Sequence, residues 1–184
     1  QLQHENRSLA HRASHDSLTG LLNRAAFTEA LDLAVRTAAA RNQYAAVLYL
    51  DSDDFKGIND RYGHAAGDAV LVAVGQRLRG CLREGDSVAR LGGDEFAVLV
   101  NALRAPEDAV RIAEHILNAM ATPVCLADGT TIFAPLSIGL AVYPLHARNG
   151  TALLHSADAA MYGAKRQSGA TWHSAESAPP EPHL

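Results

Sequence analysis

Apolar residues along the chain change their spacing from one segment to the next, and the spacing predicts which segments form strands and which form helices. Residues 44–50 are an unbroken apolar run, long enough for a buried strand and much too short to cross a membrane. Residues 87–89 and 96–100 are shorter apolar runs on the two sides of a Gly-Gly pair, which predicts a β-hairpin. Residues 136–143 predict another strand, and residues 123–135 predict a loop, a strand and a second loop.

Helical spacing marks other segments, in which apolar residues recur every three or four positions. Three of these segments carry the following apolar residues: Phe27, Leu31, Val35 and Ala38; Val70, Leu71, Val74, Leu78 and Leu82; and Ala109, Ile112, Ile116 and Met120. Asn23 is a suitable N-cap for the first helix, Pro106 stands near the start of the third, and residues 152–161 begin the last helix. Helices and strands that alternate around one sheet predict an α/β sandwich.

The composition narrows the class of protein. A chain of 184 residues, 48% of them hydrophobic, can bury one substantial core, and we expect one main domain without internal repeats. The formal net charge of −4 gives no sign of a nucleic-acid-binding surface. Two cysteines, Cys81 and Cys125, do not indicate a disulfide framework. Because the sequence shows neither a transmembrane run nor a secretory signal, we expect a cytoplasmic location.

The centre of the predicted hairpin carries two glycines followed by two acids. Gly92 and Gly93 have no side chains, so the backbone can turn tightly there and approach a ligand closely. Asp94 and Glu95 would then lie at the tip. Acids clustered at a glycine turn suit a divalent cation that holds a nucleotide phosphate. An ordinary solvated hairpin tip is the alternative for this short motif taken alone.

A second group of acids follows the strand predicted at residues 44–50. Ligands in open α/β folds bind just past the carboxyl ends of strands, and Asp51 and Asp53 lie at such an end. Either of them could share a metal ion with Asp94. Lys56 adds a positive charge that could hold a phosphate. A solvated acidic loop is the alternative interpretation.

The polar segment that comes next contains an amide, an imidazole and a carboxylate: Asn59, His64 and Asp68. Together these groups could recognise a purine, and a carboxylate that accepts from the guanine amino group and ring N–H would discriminate against adenine. Each also has a plainer interpretation. Asn59 could be a turn residue, His64 a surface histidine, and Asp68 a cap that is favoured near a helix N-terminus.

The chain resembles the diguanylate cyclase, or GGDEF, family from about residue 16 to residue 169. The motifs that carry the resemblance stand in order at residues 16–24 (Asp-Ser-Leu-Thr-Gly-Leu-Leu-Asn-Arg), 51–68, 92–96 (Gly-Gly-Asp-Glu-Phe), 137–141 and 157–165. The resemblance implies an α/β fold with a central, mostly antiparallel sheet flanked by helices, similar to the palm-like, ferredoxin-related fold of nucleotide cyclases. It also places a GGDEF domain at residues 16–173, after a signalling-helix segment at residues 1–15.

Site residues follow from the resemblance, position by position. It implies that Asp51, Asp94 and the backbone carbonyl of Ser52 hold Mg²⁺, with Mn²⁺ as an alternative. Catalysis would involve Asp94, which activates the attacking hydroxyl, Glu95 beside the metal ions, and Lys56 at the transition state. The implied substrate-binding residues are Phe55, Lys56, Asn59, His64, Asp68, Gly93 and Lys165. Because residue 68 is an acid, GTP is the expected substrate.

The implied reaction condenses two GTP into cyclic di-GMP and releases two pyrophosphates. One domain holds one GTP, so the resemblance implies an antiparallel homodimer. Arg83 and Asp86 form an Arg-x-x-Asp motif that resembles the inhibitory product site of the family, although such a motif is also common at turns. A catalytically weak domain that binds GTP or cyclic di-GMP and regulates a neighbouring domain is the alternative function.

The chain departs from the family pattern near its end, and both ends suggest a larger protein. Many relatives have Gly-Arg-Asn where residues 168–170 are Ser-Gly-Ala, so an arginine that contacts phosphate is absent, which we expect to weaken GTP binding. We also expect an N-terminal sensor domain in the full-length protein, which could be attached to a membrane with this domain on the cytoplasmic side. The Pro-rich residues 174–184 predict a disordered tail.

Overall fold

The computed structural model describes residues 13–167 and 170–177. Its helices are α1 (Arg24–Arg41), α2 (Phe55–Tyr62), α3 (His64–Gly80), α4 (Glu107–Met120) and α5 (Gly150–Lys165). Its strands are β1 (Tyr44–Ser52), β2 (Ser87–Gly92), β3 (Glu95–Leu103), β4 (Val124–Cys125), β5 (Thr131–Ile132), β6 (Leu136–Tyr143) and β7 (Trp172–Ser174).

The main sheet has five strands in the order β2-β3-β1-β6-β7, and β4 pairs with β5 in a small separate sheet. Strand β1 lies at the centre and pairs antiparallel with β3 on one side and β6 on the other. Among the strand pairs of the described residues, only β6–β7 is parallel. The predicted mostly antiparallel α/β sheet is therefore confirmed. The register places Asp51, near the end of β1, opposite Glu95 of β3 and opposite Ser137 of β6.

Helices cover both faces of the sheet, because successive side chains of each strand point to opposite faces. Leu48 and Leu50 of β1 belong to the core cluster that includes residues of α3 and α4. Val47 and Tyr49, one position away, belong to the cluster that includes residues of α1 and α5. Full burial of one such aliphatic side chain is worth about 1.5–3 kcal/mol, so these two layers hold the strand ends in place.

Helix α5 approaches the backbone of β6 at Gly139. A Cβ atom at this glycine would lie 1.9 Å from the carbonyl oxygen of Ala157 and 2.3 Å from the backbone nitrogen of Met161. Any larger residue would push the helix away. The close contact fixes the path of α5, and its last residue, Lys165, is thereby directed to the end of β1.

The predicted N-cap of α1 is confirmed, since the Asn23 side chain accepts a hydrogen bond from the Ala26 amide at 3.0 Å. Other local predictions are wrong. Helix α2 was not among the predicted helices, and residues 123–135 form two short strands instead of the predicted one. Helix α3 ends at Gly80, so Leu82 packs against the core from outside the helix.

Strand β7 has no counterpart among the predicted elements. It includes Ser174, and the Ala175 amide donates to the Leu140 carbonyl at 2.7 Å, so the sheet extends past the predicted domain limit at residue 173. Residues 1–12 of the N-terminal segment predicted at residues 1–15, and residues 178–184 of the predicted tail, lie outside the described residues. Among the described helices, none has the length and apolar character needed to cross a membrane.

Candidate active site

The end of β1, the turn of the β2–β3 hairpin and the end of α5 meet at one edge of the sheet. Gly92 pairs with Glu95, which leaves Gly93 and Asp94 as a two-residue loop. Gly92 and Gly93 have φ angles of +146° and +52°, in the region that side chains disfavour. The predicted hairpin is confirmed, and its glycines are required by the turn that carries Asp94.

Asp51 lies at the centre of the charged groups at this edge. Lys165 Nζ is 2.9 Å from Asp51 Oδ2 and donates to the backbone carbonyl of Ser52 at 3.1 Å. Burial and the neighbouring Asp94 carboxyl together raise the pKa of Asp51 to about 6, although Lys165 opposes both effects. Two neighbouring carboxyl groups at a partly buried position are a place where a further cation would be favoured.

Buried polar atoms without a hydrogen-bond partner are concentrated in this region. Within residues 13–167 and 170–177, those found are Asp51 Oδ1, Ser52 Oγ and Asn59 Oδ1. Such atoms are rare in folded proteins, and a bound ligand or ion that supplies the partner is a common reason for them. No three His, Cys, Asp or Glu side chains of the described residues form a metal cluster. The predicted set of two carboxylates and one carbonyl fits Mg²⁺, which takes few protein ligands and keeps several waters.

Asp53, the other acid that could share a metal with Asp94, has a different position. It accepts hydrogen bonds from the Ser137 hydroxyl and, at 2.9 Å, from the Ala170 amide. These bonds tie the start of β6 to the segment that follows α5. Of the two acids, Asp51 is therefore the one beside Asp94, and Asp53 has a structural role.

Helix α2 begins at the N-cap Asp54, whose side chain accepts from the Gly57 amide at 3.1 Å. Asn59 lies inside this helix, so the interpretation as a turn residue is wrong. Its side chain rests against Gly67, where an added Cβ would be 1.9 Å from Asn59 Oδ1 and 3.2 Å from Phe55 Cζ. Phe55 and Asn59 thus pack against the first turns of α3, which holds the buried acceptor of Asn59 in a defined place.

The remaining predicted substrate residues of this region are exposed. His64 is the first residue of α3, and Asp68 lies on the same helix, with both side chains open to solvent. The N-cap of α3 is Gly63, so the alternative interpretation of Asp68 as a cap is wrong. Lys56 is 89% exposed and pairs with Asp60 at 2.8 Å. The roles predicted for Lys56, His64 and Asp68 stay predictions.

Two residues near Glu95, Arg24 and Tyr49, were not predicted from the sequence to belong to this site. Arg24 Nη2 is 3.9 Å from Glu95 Oε2, and Arg24 Nε donates to the Leu91 carbonyl at 3.4 Å. Burial, together with the charges of Glu95 and Asp158, raises the pKa of Tyr49 to about 12, although Arg24 opposes the shift. Arg24 belongs to a motif that marked the resemblance, whereas Tyr49 stood in an apolar run that suggested only a core residue.

The Arg-x-x-Asp motif lies at the opposite end of the hairpin, where β2 begins. The Asp86 side chain is 2% exposed, and Asp86 Oδ1 accepts from the Asn101 amide at 3.0 Å. Arg83 is 59% exposed, donates to the Asn101 carbonyl, and lies 3.5 Å from Asp86 Oδ2. Both residues line an open cleft of about 380 Å³ together with Arg104 and Ile112. The structure therefore separates this motif from Asp51 and Asp94.

Comparison with known proteins decides the family. A family model described as diguanylate cyclase, GGDEF domain, matches residues 13–171. The chain belongs to the GGDEF family. The resemblance stated from the sequence motifs is therefore confirmed, and the edge that carries Asp51 and Asp94 is the edge that bears the GGDEF signature.

Curated GGDEF proteins are longer than this chain. It is 58% identical over 166 residues to diguanylate cyclase TpbB of Pseudomonas aeruginosa strain UCBPP-PA14, a match that covers 90% of this chain and 38% of TpbB. It is 40% identical over 168 residues to diguanylate cyclase DgcN of Escherichia coli K12, covering 90% of this chain and 40% of DgcN. The chain thus spans less than half the length of these relatives.

Solved GGDEF structures share the fold. The GGDEF domain of TpbB from P. aeruginosa superimposes with a TM-score of 0.86 at 56% identity, covering 88% of this chain and 94% of that domain. The coiled coil and GGDEF domain of DgcB from Caulobacter crescentus, solved in complex with c-di-GMP, gives a TM-score of 0.83 at 28% identity. That match covers 95% of this chain and 92% of the DgcB chain.

Proposed function

We propose that this domain is a diguanylate cyclase, which joins two GTP into cyclic di-GMP and releases two pyrophosphates. The observation that carries the proposal is the set of buried, unpartnered oxygens at one edge of the sheet, which includes Asp51 Oδ1 beside Asp94 and Asn59 Oδ1. The first suits a cation, and the second suits the N–H donors of a guanine edge. Both halves of a metal–GTP complex would therefore find partners there.

Asp51, Asp94 and the Ser52 carbonyl would hold Mg²⁺, or Mn²⁺ in its place. The metal ion, when bound, would neutralise charge at the reacting phosphate. Asp94 would accept the proton of the attacking 3′-hydroxyl, and Glu95 would stand beside it. Lys165 binds Asp51 and Ser52 in this structure, so its ammonium would move to the triphosphate when GTP binds. The exposed side chain of Lys56 would approach the same phosphates from α2.

Asn59 and Asp68 would read the guanine, with Phe55, His64 and Gly93 forming the surrounding surface. The Asn59 oxygen is a hydrogen-bond acceptor held against Gly67, and guanine offers an amino group and a ring N–H as donors. Adenine lacks the ring N–H at that edge. The preference for GTP would follow from these acceptors.

Each domain would hold one GTP, so turnover would need an antiparallel homodimer in which each 3′-hydroxyl attacks the α-phosphorus of the other nucleotide. The family member DgcB has been solved with c-di-GMP, which supports product binding as a property of such domains. In this chain we propose Arg83 and Asp86 as the product-binding pair. A sensor domain in the longer protein would then control activity through dimer geometry.

The proposal is tested by product analysis. Purified protein at high concentration is incubated with GTP and MgCl₂, and nucleotides are identified by mass spectrometry. We expect cyclic di-GMP from the native chain and at least about 1,000-fold less from Asp94→Ala, because charge neutralisation at the phosphate would be lost. Glu114→Ala, which removes an exposed carboxylate from α4, is the matched control and should retain activity.

One result would overturn the proposal in favour of a regulatory domain. If GTP binds but no cyclic di-GMP forms, even when a fused dimerisation module brings two copies together, the chain would be a GTP- or product-binding module. Isothermal titration with GTP, run on the same samples, separates that outcome from protein that binds nothing.

A further inference from the structure

Residues 15–22 form a tight turn, called here the N-terminal turn, that precedes α1. A bridge between His15 and Leu22 closes it, and the Asp16 amide donates to the Leu21 carbonyl at 2.8 Å. The turn is docked on β2, the edge strand of the sheet. Leu22 donates to the Val88 carbonyl at 3.2 Å and accepts from the Arg90 amide at 2.9 Å. The backbone that leads into the domain is thereby joined to the strand that leads to Asp94.

The side chain of Arg90 extends this connection to the hairpin loop. Its Nη1 lies 3.1 Å from Asp16 Oδ1 and 3.3 Å from Asp16 Oδ2, while its Nε donates to the Gly93 carbonyl at 2.8 Å. The two side chains are only 16% and 19% exposed, so solvent screens the pair weakly. Asp16 is itself held in place, because Thr19 donates to it from both its amide and its hydroxyl.

The Gly93 carbonyl belongs to the peptide unit that also contains the Asp94 nitrogen. Since a peptide unit is planar, a bond that fixes this carbonyl also fixes the plane from which Asp94 continues. The ladder around it is irregular: Arg90 is opposite Phe96 and Gly92 is opposite Glu95, so β2 has one extra residue. Such bulges re-aim neighbouring side chains, and here the Arg90 side chain donates to the carbonyl of the loop residue Gly93.

We propose that Arg90 is a positioning residue, which links Asp16 of the N-terminal turn to the Gly93–Asp94 peptide and so sets the orientation of the Asp94 carboxylate. The inference rests on the proposed function, because Asp94 is the acid that acts on the nucleotide. It predicts that Asp16, although it does not touch the site, affects turnover through Arg90. A purely structural ion pair would change stability and leave the loop unaffected.

The experiment compares Arg90→Ala, Arg90→Lys, Asp16→Asn and the double variant Asp16→Asn/Arg90→Ala with the native chain. Arg79→Ala is the matched control, because Arg79 donates to the Gly20 carbonyl of the same turn at 2.8 Å but has no described contact with the hairpin. The first readout is hydrogen–deuterium exchange of the peptide that contains residues 91–96, at a temperature where every variant is folded. This readout needs no catalysis.

We expect Arg90→Ala to raise exchange in that peptide about tenfold and to lower kcat about 10- to 100-fold, with KM for GTP changed less than about threefold, because a misplaced catalytic group impairs chemistry more than binding. Arg90→Lys should restore part of the loss. A lysine ammonium keeps the positive charge, but it cannot replace the planar guanidinium that donates to Asp16 and to the Gly93 carbonyl from separate nitrogens. The double variant should match Arg90→Ala alone, because Asp16 would act only through Arg90.

Unchanged exchange in residues 91–96 of Arg90→Ala would overturn the inference, and so would additive effects of the Asp16 and Arg90 substitutions on kcat. Equal loosening of the whole domain in Arg90→Ala and Arg79→Ala would also overturn it, since that result describes stability alone. If the native chain made no cyclic di-GMP, the proposed function would fail, and the exchange data would still decide whether Arg90 holds the loop.

Discussion

A buried aspartate lies at each end of the β2–β3 hairpin, Asp86 at its base and Asp51 of the adjacent strand β1 at its tip. The two carboxylates differ in their hydrogen bonding. At the base, Asp86 accepts from the Asn101 amide and lies beside Arg83, so each of its oxygens has a neighbour. At the tip, Asp51 of the adjacent strand has an oxygen without a partner, and its pKa is raised to about 6 by burial and by Asp94. The side chains are 2% and 16% exposed, so burial alone does not explain the contrast.

This difference in hydrogen bonding implies that the Asp86 carboxylate stabilises the fold, whereas the Asp51 carboxylate lowers its stability. A buried acid with its hydrogen bonds satisfied strengthens the structure, whereas one left partly unsatisfied lowers stability and is retained for another reason. The base of the hairpin therefore needs Asp86 to fold well. At the tip, Asp51 is needed for ligand binding. Substitution should therefore lower the free energy of unfolding at Asp86 and raise it at Asp51.

Asp51→Asn should produce the largest effect. We expect loss of metal binding and a fall in turnover of about 1,000-fold or more, because Asp51 would be one of two carboxylates that hold the ion. Without metal, the variant should be more stable than the native chain at pH 8 by about 1 kcal/mol, after allowance for solvent screening, which corresponds to a rise in Tm of roughly 2–4 °C.

The control for this prediction is the pH dependence of the extra stability of Asp51→Asn. Because the folded-state pKa of Asp51 is raised from 3.8 to about 6, its contribution to stability is most favourable below pH 4 and is lost as pH rises through 6. The difference in Tm between variant and native chain should therefore appear between pH 4 and 7 and be absent at lower pH. Thermal melts in buffer with a chelator measure it; a variant less stable than the native chain at pH 8 would contradict the comparison.

Much of this arrangement could be predicted from local signals in the sequence. The apolar run before Asp51 and the Gly-Gly pair before Asp94 indicate a buried strand and a tight hairpin by themselves, and both are present. Choosing between Asp51 and Asp53 was not possible, since the partners of Asp53 are Ser137 and Ala170, far along the chain. Such contacts leave no periodic pattern from which they could be inferred.

Helix α2 is a second feature that could not be predicted, because it depends on contacts formed in the fold. Its glycine, asparagine and aspartate residues disfavour a helix by intrinsic propensity, and no helix was predicted there. In the structure the Asp54 cap and burial of Ile58 hold the helix in place. The position of Asn59, which depends on contact with α3, therefore could not be predicted although its chemistry could.

Gly67→Ala should give the second largest effect on activity. Unlike Asp51→Asn, it should affect GTP binding more than turnover. The added Cβ would displace the flexible end of Asn59, so the domain should fold while the guanine acceptor moves. We expect KM for GTP to rise about 5- to 30-fold, the value of one lost hydrogen bond of about 1–2 kcal/mol, with kcat little changed. Steady-state kinetics with GTP measures this change.

Gly80→Ala is the matched control for that variant. Gly80 lies at the end of the same helix, α3, and an added Cβ there has no atom within 4 Å. Replacement of a helical glycine by alanine commonly favours the helix, so Gly80→Ala should be at least as stable as the native chain. If the two variants had the same KM, the packing of Asn59 on Gly67 would be irrelevant to GTP binding.

The smallest expected effects lie at the base of the hairpin, and they complete the comparison. Asp86→Ala should lower the free energy of unfolding by about 1–2 kcal/mol, because the Asn101 amide loses its acceptor in a buried place. Arg83→Ala should change it by less than about 1 kcal/mol, since the Arg83 side chain is 59% exposed. Urea unfolding of both variants measures these changes.

Arg83→Ala is consequently the variant that tests product inhibition without disturbing the fold. If the exposed guanidinium binds cyclic di-GMP, its inhibition constant should rise about tenfold in this variant while turnover at low product stays unchanged. An unchanged inhibition constant would mean that Arg83 and Asp86 serve only to connect the start of β2 to Asn101 through hydrogen bonds. The hairpin would then carry a ligand at its tip alone, and the buried, satisfied acid at its base would have a purely structural role.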